Sequence, residues 1–238
     1  MSVVSLPGTF AAPDTVLARV HTESGDVSGI DRASIAKAFL IGDARVFDDD
    51  PRFGLIVLSE IASRALSPAV NDPGTAIDVI GTFVRLFALW TQPVDARAAA
   101  LPSYDLVEVP EISPRDMFDD AFTGIARDGA ATVEVAGRLQ KAFASLAVMS
   151  GGVLAGPSQH HARVALARAE HALTLPEDKE EIRRLAALVG RSLSITGHSR
   201  CFSDQPGCGN RPVRRASSIN PIKSATCKDE SCLIRLSH

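Results

Sequence analysis

The sequence has few aromatic residues, and it has no cysteine before position 201. Aromatic residues make up 5% of the chain, so a core must consist of Ala, Val, Leu and Ile with Phe as the bulky filler. All four cysteines lie near the C-terminus, and no two have the Cys-x-x-Cys spacing of a structural zinc site. A cysteine nucleophile is therefore excluded from the body of the protein. The cysteines are Cys201, Cys208, Cys227 and Cys232.

Long apolar runs are also missing. The longest uncharged stretch, 142–159, is interrupted by three glycines and a proline, and its apolar part is shorter than the roughly 20 residues of a membrane-spanning helix. The first residues lack the basic region and the apolar run of a signal peptide. As written, we expect the chain to be soluble and cytoplasmic.

Positive charge is scarce in the body of the protein. Residues 198–238 carry seven basic and three acidic side chains, which leaves 18 basic against 25 acidic residues in the remainder. An acidic body argues against binding to the nucleic-acid backbone, because that binding depends on Lys and Arg. We therefore predict no nucleic-acid partner.

Three sites carry the same helix-start signal, a capping residue followed by proline at the first helical position. They are Asp50-Pro51, Asp72-Pro73 and Ser113-Pro114. Apolar residues recur at steps of three and four after each of them, which is typical of an amphipathic helix. The same periodicity predicts four more helices, at residues 31–41, 130–149, 158–173 and 177–193.

The predicted fold is mainly α, a bundle-like helical domain with a small N-terminal β-hairpin and at most one further short strand pair. The hairpin is indicated by two β-prone runs around Pro13-Asp14, and residues 104–109 are a candidate strand. We predict three segments: a lead-in at 1–30, a helical domain at 31–195 and a tail at 196–238. Apolar periodicity stops in the tail, which is typical of a disordered segment or a foreign reading frame.

One polar turn separates two apolar helices. Residues 64–73 read Arg-Ala-Leu-Ser-Pro-Ala-Val-Asn-Asp-Pro. Each polar side chain has a structural use, because a cation suits a helix C-terminus and Asn or Asp suits a helix start. The alternative is a pocket in which Arg64, Ser67, Asn71 and Asp72 contact a ligand or anion. These four residues are the candidate ligand-binding set.

No catalytic or cofactor motif stands beside that turn. The sequence has no P-loop, dinucleotide fingerprint, Gly-x-Ser-x-Gly elbow or His-Glu-x-x-His motif. His160 and His171 would lie about 16 Å apart along one helix, too far to share a metal ion. We expect the histidines at the surface or at helix ends, and we predict no cofactor and no metal site.

Several segments resemble the domain of unknown function 2254 family of predicted bacterial membrane proteins. They are Asp-Pro-Arg-Phe-Gly-Leu at 50–55, residues 62–76 around the polar turn, Pro-Gly-Thr-Phe at 7–10 and Phe-Leu-Ile-Gly-Asp-Ala-Arg at 39–45. The resemblance covers residues 5–190, with Gly74 in place of a bulkier residue. It implies transmembrane helices before this region, and it implies no reaction and no catalytic residues.

The leading hypothesis is a non-enzymatic soluble domain of a membrane protein, with a role in assembly, sensing or small-ligand binding. It would reach the membrane through an N-terminal anchor, and it could form a homo-oligomer. The alternatives are an enzyme of unknown reaction with a pocket at residues 64–73, and a truncated fragment without a function of its own. The ligand, if there is one, is not indicated by the sequence.

Overall fold

Seven helices and a small sheet form the part of the chain that the computed structural model describes, which is residues 1–22, 26, 28–92, 104–197 and 232–235. The strands are β1 Ser2–Val3, β2 Val16–Val20 and β3 Cys232–Arg235. The helices are α1 Arg32–Lys37, α2 Pro51–Ala65, α3 Pro73–Trp90, α4 Pro114–Asp128, α5 Val133–Val148, α6 Ala155–Ala172 and α7 Pro176–Gly197. A single 3-10 turn, Met149–Gly152, follows α5. The mainly α prediction is confirmed.

The three predicted cap-and-proline starts begin α2, α3 and α4. Asp50 accepts a hydrogen bond from the Phe53 backbone N–H at 3.1 Å, and Asp72 accepts one from Thr75 at 3.2 Å. Ser113 caps α4 in the same way. Such a side chain satisfies a backbone donor that has no partner inside the helix.

Two predicted helices are shorter in the structure. α1 ends at Lys37 and not at residue 41, and α5 begins at Val133 and not at residue 130. The first three residues of the predicted α5 form the connection from α4, whose C-cap is Gly129. Apolar periodicity alone does not mark where such a turn ends, because Ala130 is buried in the turn as it would be in a helix.

Helices α2 to α7 form a bundle in which α4 packs between α2 and α6, and α5 packs against α3, α6 and α7. α2 and α4 are parallel neighbours, since Arg52 pairs with Asp120 near both starts and Ser63 approaches Gly124 further along. A Cβ at position 124 would lie 2.9 Å from the Ser63 hydroxyl, so the absence of a side chain there allows the close approach of the two helices.

The core consists mainly of Ala, Val, Leu and Ile with phenylalanine as its bulky filler, as the composition predicted. Five phenylalanines from α3, α4 and α5 are buried with ring centroids as close as 4.7 Å for one pair and 5.0 Å for another. Ring pairs in such offset and edge-on arrangements stabilise a core beyond the area that they bury. The five are Phe83, Phe87, Phe118, Phe122 and Phe143.

The N-terminal residues pair with two distant parts of the chain. β1 is antiparallel to β2, and β2 is antiparallel to β3 on its other edge. The predicted strand at 104–109 is wrong as an element: only Glu108 pairs there, as an isolated bridge to Ser2. Prolines at 102 and 110 bracket this stretch and limit a regular ladder.

The bundle has two different ends. We call one the layer end: residues 1–50, 104–113 and 149–154, the starts of α2, α4 and α6, the last two turns of α3 and the last turn of α5. We call the other the motif end: the turns 66–72, 129–132 and 173–175. Ring contacts of Phe87 with Phe118, and of Phe118 with His161, place the end of α3 and the starts of α4 and α6 together.

The predicted division at 1–30, 31–195 and 196–238 remains a prediction. Of the predicted tail, the structure describes residues 196–197, which end α7, and 232–235, which form β3. The other tail residues, with three of the four cysteines, lie outside the described residues.

Candidate functional site

The polar turn at 64–73 closes the motif end with backbone hydrogen bonds. The Asn71 N–H donates to the Ser67 carbonyl at 2.9 Å, and the Asp72 N–H donates to the Ala65 carbonyl at 2.8 Å. Asn71 has a φ of 49°, the one positive φ among the described non-glycine residues. Asparagine tolerates this left-handed conformation better than most residues, so the turn uses Asn71 for its backbone.

The four candidate ligand-binding residues are near in sequence, and no hydrogen bond joins their side chains in the described structure. Arg64, Asn71 and Asp72 are exposed and Ser67 is half-buried. The Asp72 carboxylate accepts from the Thr75 hydroxyl at 2.6 Å, and this bond is the main cause that lowers the pKa of Asp72. The capping role of Asp72 is thus observed, whereas a ligand role for the four residues stays a prediction.

A buried ion pair holds the layer end together. Asp50 is 3% exposed and accepts from Arg45 Nε at 2.6 Å, while it also caps α2. The Arg45 guanidinium lies 5.4 Å from the centroid of the Phe53 ring, and Phe53 stacks on Phe47 at 4.6 Å. A buried carboxylate needs such partners, because an unpaired charge in an apolar interior is strongly destabilising.

Gly8, in the N-terminal segment, packs directly against this ion pair. It has a φ of +80°, and a Cβ at this position would overlap the Asp50 carboxylate and lie 2.6 Å from Arg45 Nε. Only glycine meets both conditions, the left-handed backbone and the close approach. We call Gly8, Arg45 and Asp50 the clasp. It joins residues 7–10 to residues 45–50, which lie more than 30 positions further along the chain.

Exposed apolar side chains collect at the layer end. In the described part of the chain, every exposed large apolar residue except Ile61, Val70 and Leu175 lies there. The most exposed are Leu40 at 95%, Phe10 at 89% and Leu106 at 81%. The others are Val4, Ile41, Val46, Phe47, Leu86, Leu89, Trp90, Tyr104, Val109, Val148 and Val153. Large groups of exposed apolar side chains are uncommon on soluble proteins and usually mark an interaction site.

A second feature is a set of buried polar groups inside the bundle. His161 is 5% exposed, and its ring lies among Phe118, Phe122 and Phe143 at centroid distances of 5.7 to 6.4 Å. Its Nε2 is 3.0 Å from the Asp119 carboxylate but outside hydrogen-bond geometry. The expectation that the histidines lie at the surface or at helix ends is wrong for His161.

The burial of His161 has an electrostatic consequence. Desolvation lowers the pKa of His161, and the nearby charges of His160 and Arg168 act in the same direction. Asp119, which is half-exposed, acts in the opposite direction and is outweighed. The imidazole is therefore neutral at pH 7.

Two further polar residues are buried near His161. Gln140 Nε2 donates to the Ala162 carbonyl at 3.0 Å, and its Oε1 has no protein partner. The Ser158 hydroxyl, one turn before His161, also has none. The sequence carried one signal for this cluster, polar residues on the apolar faces of α5 and α6, and apolar periodicity alone does not distinguish them from surface positions.

A shallow groove of about 400 Å³ runs between α6 and α7. Its floor is apolar, and Gln159, Arg163 and Arg183 lie along it. Arg183 is engaged by Glu170 at 2.6 Å, so its charge is already neutralised. The groove lies on other helices than the four candidate residues of the polar turn. Within the described ranges, no group of three or more His, Cys, Asp or Glu side chains is arranged to hold a metal ion.

Comparison with known proteins gives a family and no activity. The family model described as "Predicted membrane protein (DUF2254)" matches residues 1–145, which include the clasp, the polar turn and α4. No solved structure matches the chain. None of the helices in the described ranges is both long enough and apolar enough to cross a bilayer.

Three curated relatives share one short segment with the chain. They are uncharacterized proteins of Mycobacterium bovis and of two strains of Mycobacterium tuberculosis, each 58% identical over 40 residues. The shared segment is 17% of this chain and 8% of each relative. The chain thus matches a small part of much longer proteins.

Proposed function

The chain belongs to the DUF2254 family of predicted membrane proteins, and we propose that its helical bundle is an assembly domain that docks, through the layer end, onto the membrane-embedded part of such a protein. The observation that carries the proposal is the collection of exposed apolar side chains at that end. Attachment through membrane-spanning helices before this region, on the cytoplasmic side, is part of the proposal.

The apolar side chains are held in place on an ordered backbone, which favours a docking surface over an unfolded segment. The clasp fixes the segments around Phe10 and Phe47, and hydrogen bonds of Met1 with residues 106 and 108 fix the segment around Leu106. A preordered surface binds with less loss of conformational entropy than a flexible one. Exposure of large side chains such as Leu40 in water is unfavourable, and a partner would relieve it.

The other roles considered have less support. Sensing or small-ligand binding would need a cavity, and the groove between α6 and α7 is shallow with one of its two arginines already paired. An enzyme with a pocket at Arg64, Ser67, Asn71 and Asp72 would need these side chains to converge, but three of them are exposed and Asp72 is used as a cap. A second copy of the chain is the competing occupant of the layer end.

Neutral detergent micelles test whether the layer end is a docking surface. With dodecyl maltoside we expect protection from hydrogen exchange at residues 40–47 and 104–109, and a blue shift of the emission of Trp90, the one tryptophan in the chain. Equal protection at both ends of the bundle, or none at either, would contradict the proposal. Sedimentation without detergent tests self-association, and a stable dimer that buries these residues would replace the membrane-embedded part as occupant.

A matched pair of variants separates this surface from general apolar exposure. Leu40→Ser with Phe47→Ser removes two exposed apolar side chains from the layer end, and we expect micelle protection to be lost. Val70→Ser with Leu175→Ser removes two from the motif end, and we expect no change. Circular dichroism verifies that both variants are folded.

A further inference from the structure

We infer that the partner at the layer end is a protein segment that is both apolar and rich in Lys and Arg, of the kind found next to the cytoplasmic end of a membrane span. This inference rests on the proposed docking role and adds the chemistry of the partner. It comes from the arrangement of charge around the exposed apolar side chains.

Acidic side chains alternate with the apolar ones in two segments. In residues 40–49, Asp43, Asp48 and Asp49 are exposed beside Leu40, Ile41, Val46 and Phe47. In residues 104–111, Asp105, Glu108 and Glu111 are exposed beside Tyr104, Leu106 and Val109. The one basic residue within these two segments is Arg45, which the buried Asp50 already neutralises.

The two segments lie at the same place in the fold. One leads into α2 and the other into α4, and the starts of these parallel helices are joined by Arg52. Its Nη1 is 3.4 Å from Asp116, and its Nε is 2.5 Å from Asp120. Arg52 is thus also neutralised by carboxylates, and each of the two segments places three exposed acids beside its exposed apolar groups.

This charge distribution selects among the possible occupants. A second copy of the same surface would bring like charges together, which is unfavourable in protein interfaces. A bacterial bilayer rich in anionic lipid would be repelled for the same reason. A segment with apolar and basic residues complements both features, and cytoplasmic loops beside membrane spans carry such an excess of Lys and Arg.

Vesicles that carry a model span test the inference directly. The probe is a tryptophan-free Leu-Ala peptide with lysine flanks in phosphatidylcholine vesicles, and the comparison peptide has the same span with glutamate flanks. We expect the full chain to float with the lysine-flanked vesicles and Trp90 emission to shift to the blue. The apparent Kd should weaken by roughly tenfold or more when salt is raised from about 0.05 to 0.5 M.

A pair of charge variants supplies the control. Asp48→Asn with Asp49→Asn should weaken binding to the lysine-flanked vesicles by roughly fivefold or more. Glu177→Gln with Asp178→Asn removes the same charge at the start of α7, at the motif end, and should leave binding unchanged.

Other outcomes separate this inference from the docking role. Equal flotation with lysine and glutamate flanks, or flotation with empty or phosphatidylglycerol vesicles, would overturn the basic partner while the micelle result stands. An absence of both micelle protection and flotation would overturn the docking role together with its partner.

Discussion

The two ends of the bundle solve the same problem, the connection of helices, in different ways. At the motif end the turn from α2 to α3 is closed by its own backbone, and its polar side chains serve helix termini. At the layer end the segment before α2 and the connection from α3 to α4 are long and depend on contacts between distant parts of the chain, and most of the exposed large apolar side chains lie here. The turn at the motif end satisfies its polar groups within the chain, whereas the layer end exposes apolar side chains as one side of an interface does.

The difference shows that a distinctive sequence motif and a functional surface need not coincide. The polar turn at 64–73 stands out in the sequence because its backbone demands particular residues, such as Asn71 at positive φ. The layer end stands out only in three dimensions, where exposure can be seen. A search for function that began at the motif alone would examine the more self-sufficient end.

Gly8→Ala is the largest expected perturbation of the layer end. The new Cβ would overlap the Asp50 carboxylate and force a strained backbone, so we expect a loss of about 2 to 4 kcal/mol in the free energy of unfolding. Urea denaturation measures it. Gly54→Ala is the control: nothing lies within 4 Å of its Cβ position in α2, and alanine there should stabilise the helix by up to about 1 kcal/mol. A neutral Gly8→Ala would show that the clasp is not formed.

Acidification should weaken the packing beneath the layer end. Burial lowers the pKa of His161 in the folded state below its ordinary 6.5. As the pH falls below about 6.5, the imidazole is therefore protonated in the unfolded chain before it is protonated in the folded chain. Stability is therefore full above about pH 6.5 and is lost as pH falls towards the folded pKa.

Urea denaturation midpoints at about pH 7.5 and about pH 5.5 measure how much stability the protein loses when His161 becomes protonated in the unfolded chain. His161→Phe should remove that part of the acid sensitivity. His171→Gln changes an exposed histidine of the same helix and should retain it. The groups that face His161 are Asp119 on α4 and His160 and Arg168 on α6. Identical acid sensitivity in wild type and His161→Phe would be incompatible with this explanation.

A smaller effect is expected at the motif end. Asn71→Ala retains the turn but places alanine at a φ of 49°, and we expect a loss of about 1 kcal/mol. Asn71→Gly should be neutral or slightly stabilising, because glycine adopts this conformation freely. Thermal unfolding of the two variants distinguishes them. If both variants lose the same stability, the Asn71 side chain matters through contacts and not through the backbone.

The smallest effect on stability is expected for the docking surface itself. Leu40→Ser changes a side chain that is 95% exposed, and the free energy of unfolding should change by less than about 0.5 kcal/mol. The same variant should reduce micelle protection at residues 40–47. A large loss of stability would mean that Leu40 is buried in the folded protein, and the comparison of the two ends would then fail.

Local signals in the sequence were sufficient for the starts of α2, α3 and α4. A cap followed by proline predicts a start within one residue, as at Asp50, Asp72 and Ser113, because the cause lies in neighbouring residues. The aliphatic core with Phe as its bulky filler followed from the composition, because the chain has few other aromatic residues. The prediction made α1 too long and placed a strand at 104–109, where the structure has only an isolated bridge. Both errors arose because the extent of these elements depends on packing, which no local sequence pattern records.

The candidate site was less accessible from the sequence. The pairing of Gly8 with Asp50 joins residues 42 positions apart, and the local sequence at Asp50 indicates only a helix cap. His161 has the same sequence neighbourhood as the less buried His160, and only the direction of each side chain on α6 separates them. Exposure of Leu40 and Phe10 is likewise a property of the folded surface. Each of these features depends on contacts or exposure that arise on folding.

The pairing of β1 with residue 108 also sets an order of events in folding. The Ser2 hydroxyl donates to the Glu108 carboxylate across 106 positions of sequence, whereas α2 and α3, α5 and α6, and α6 and α7 are joined by short connections. Closing a long loop is slower than pairing neighbouring helices. We expect the bundle to form first and the layer end last. In a newly made chain, the segments that carry most of the exposed apolar side chains are then the last to fold. Until that loop closes, this surface is the part of the chain most in need of a chaperone.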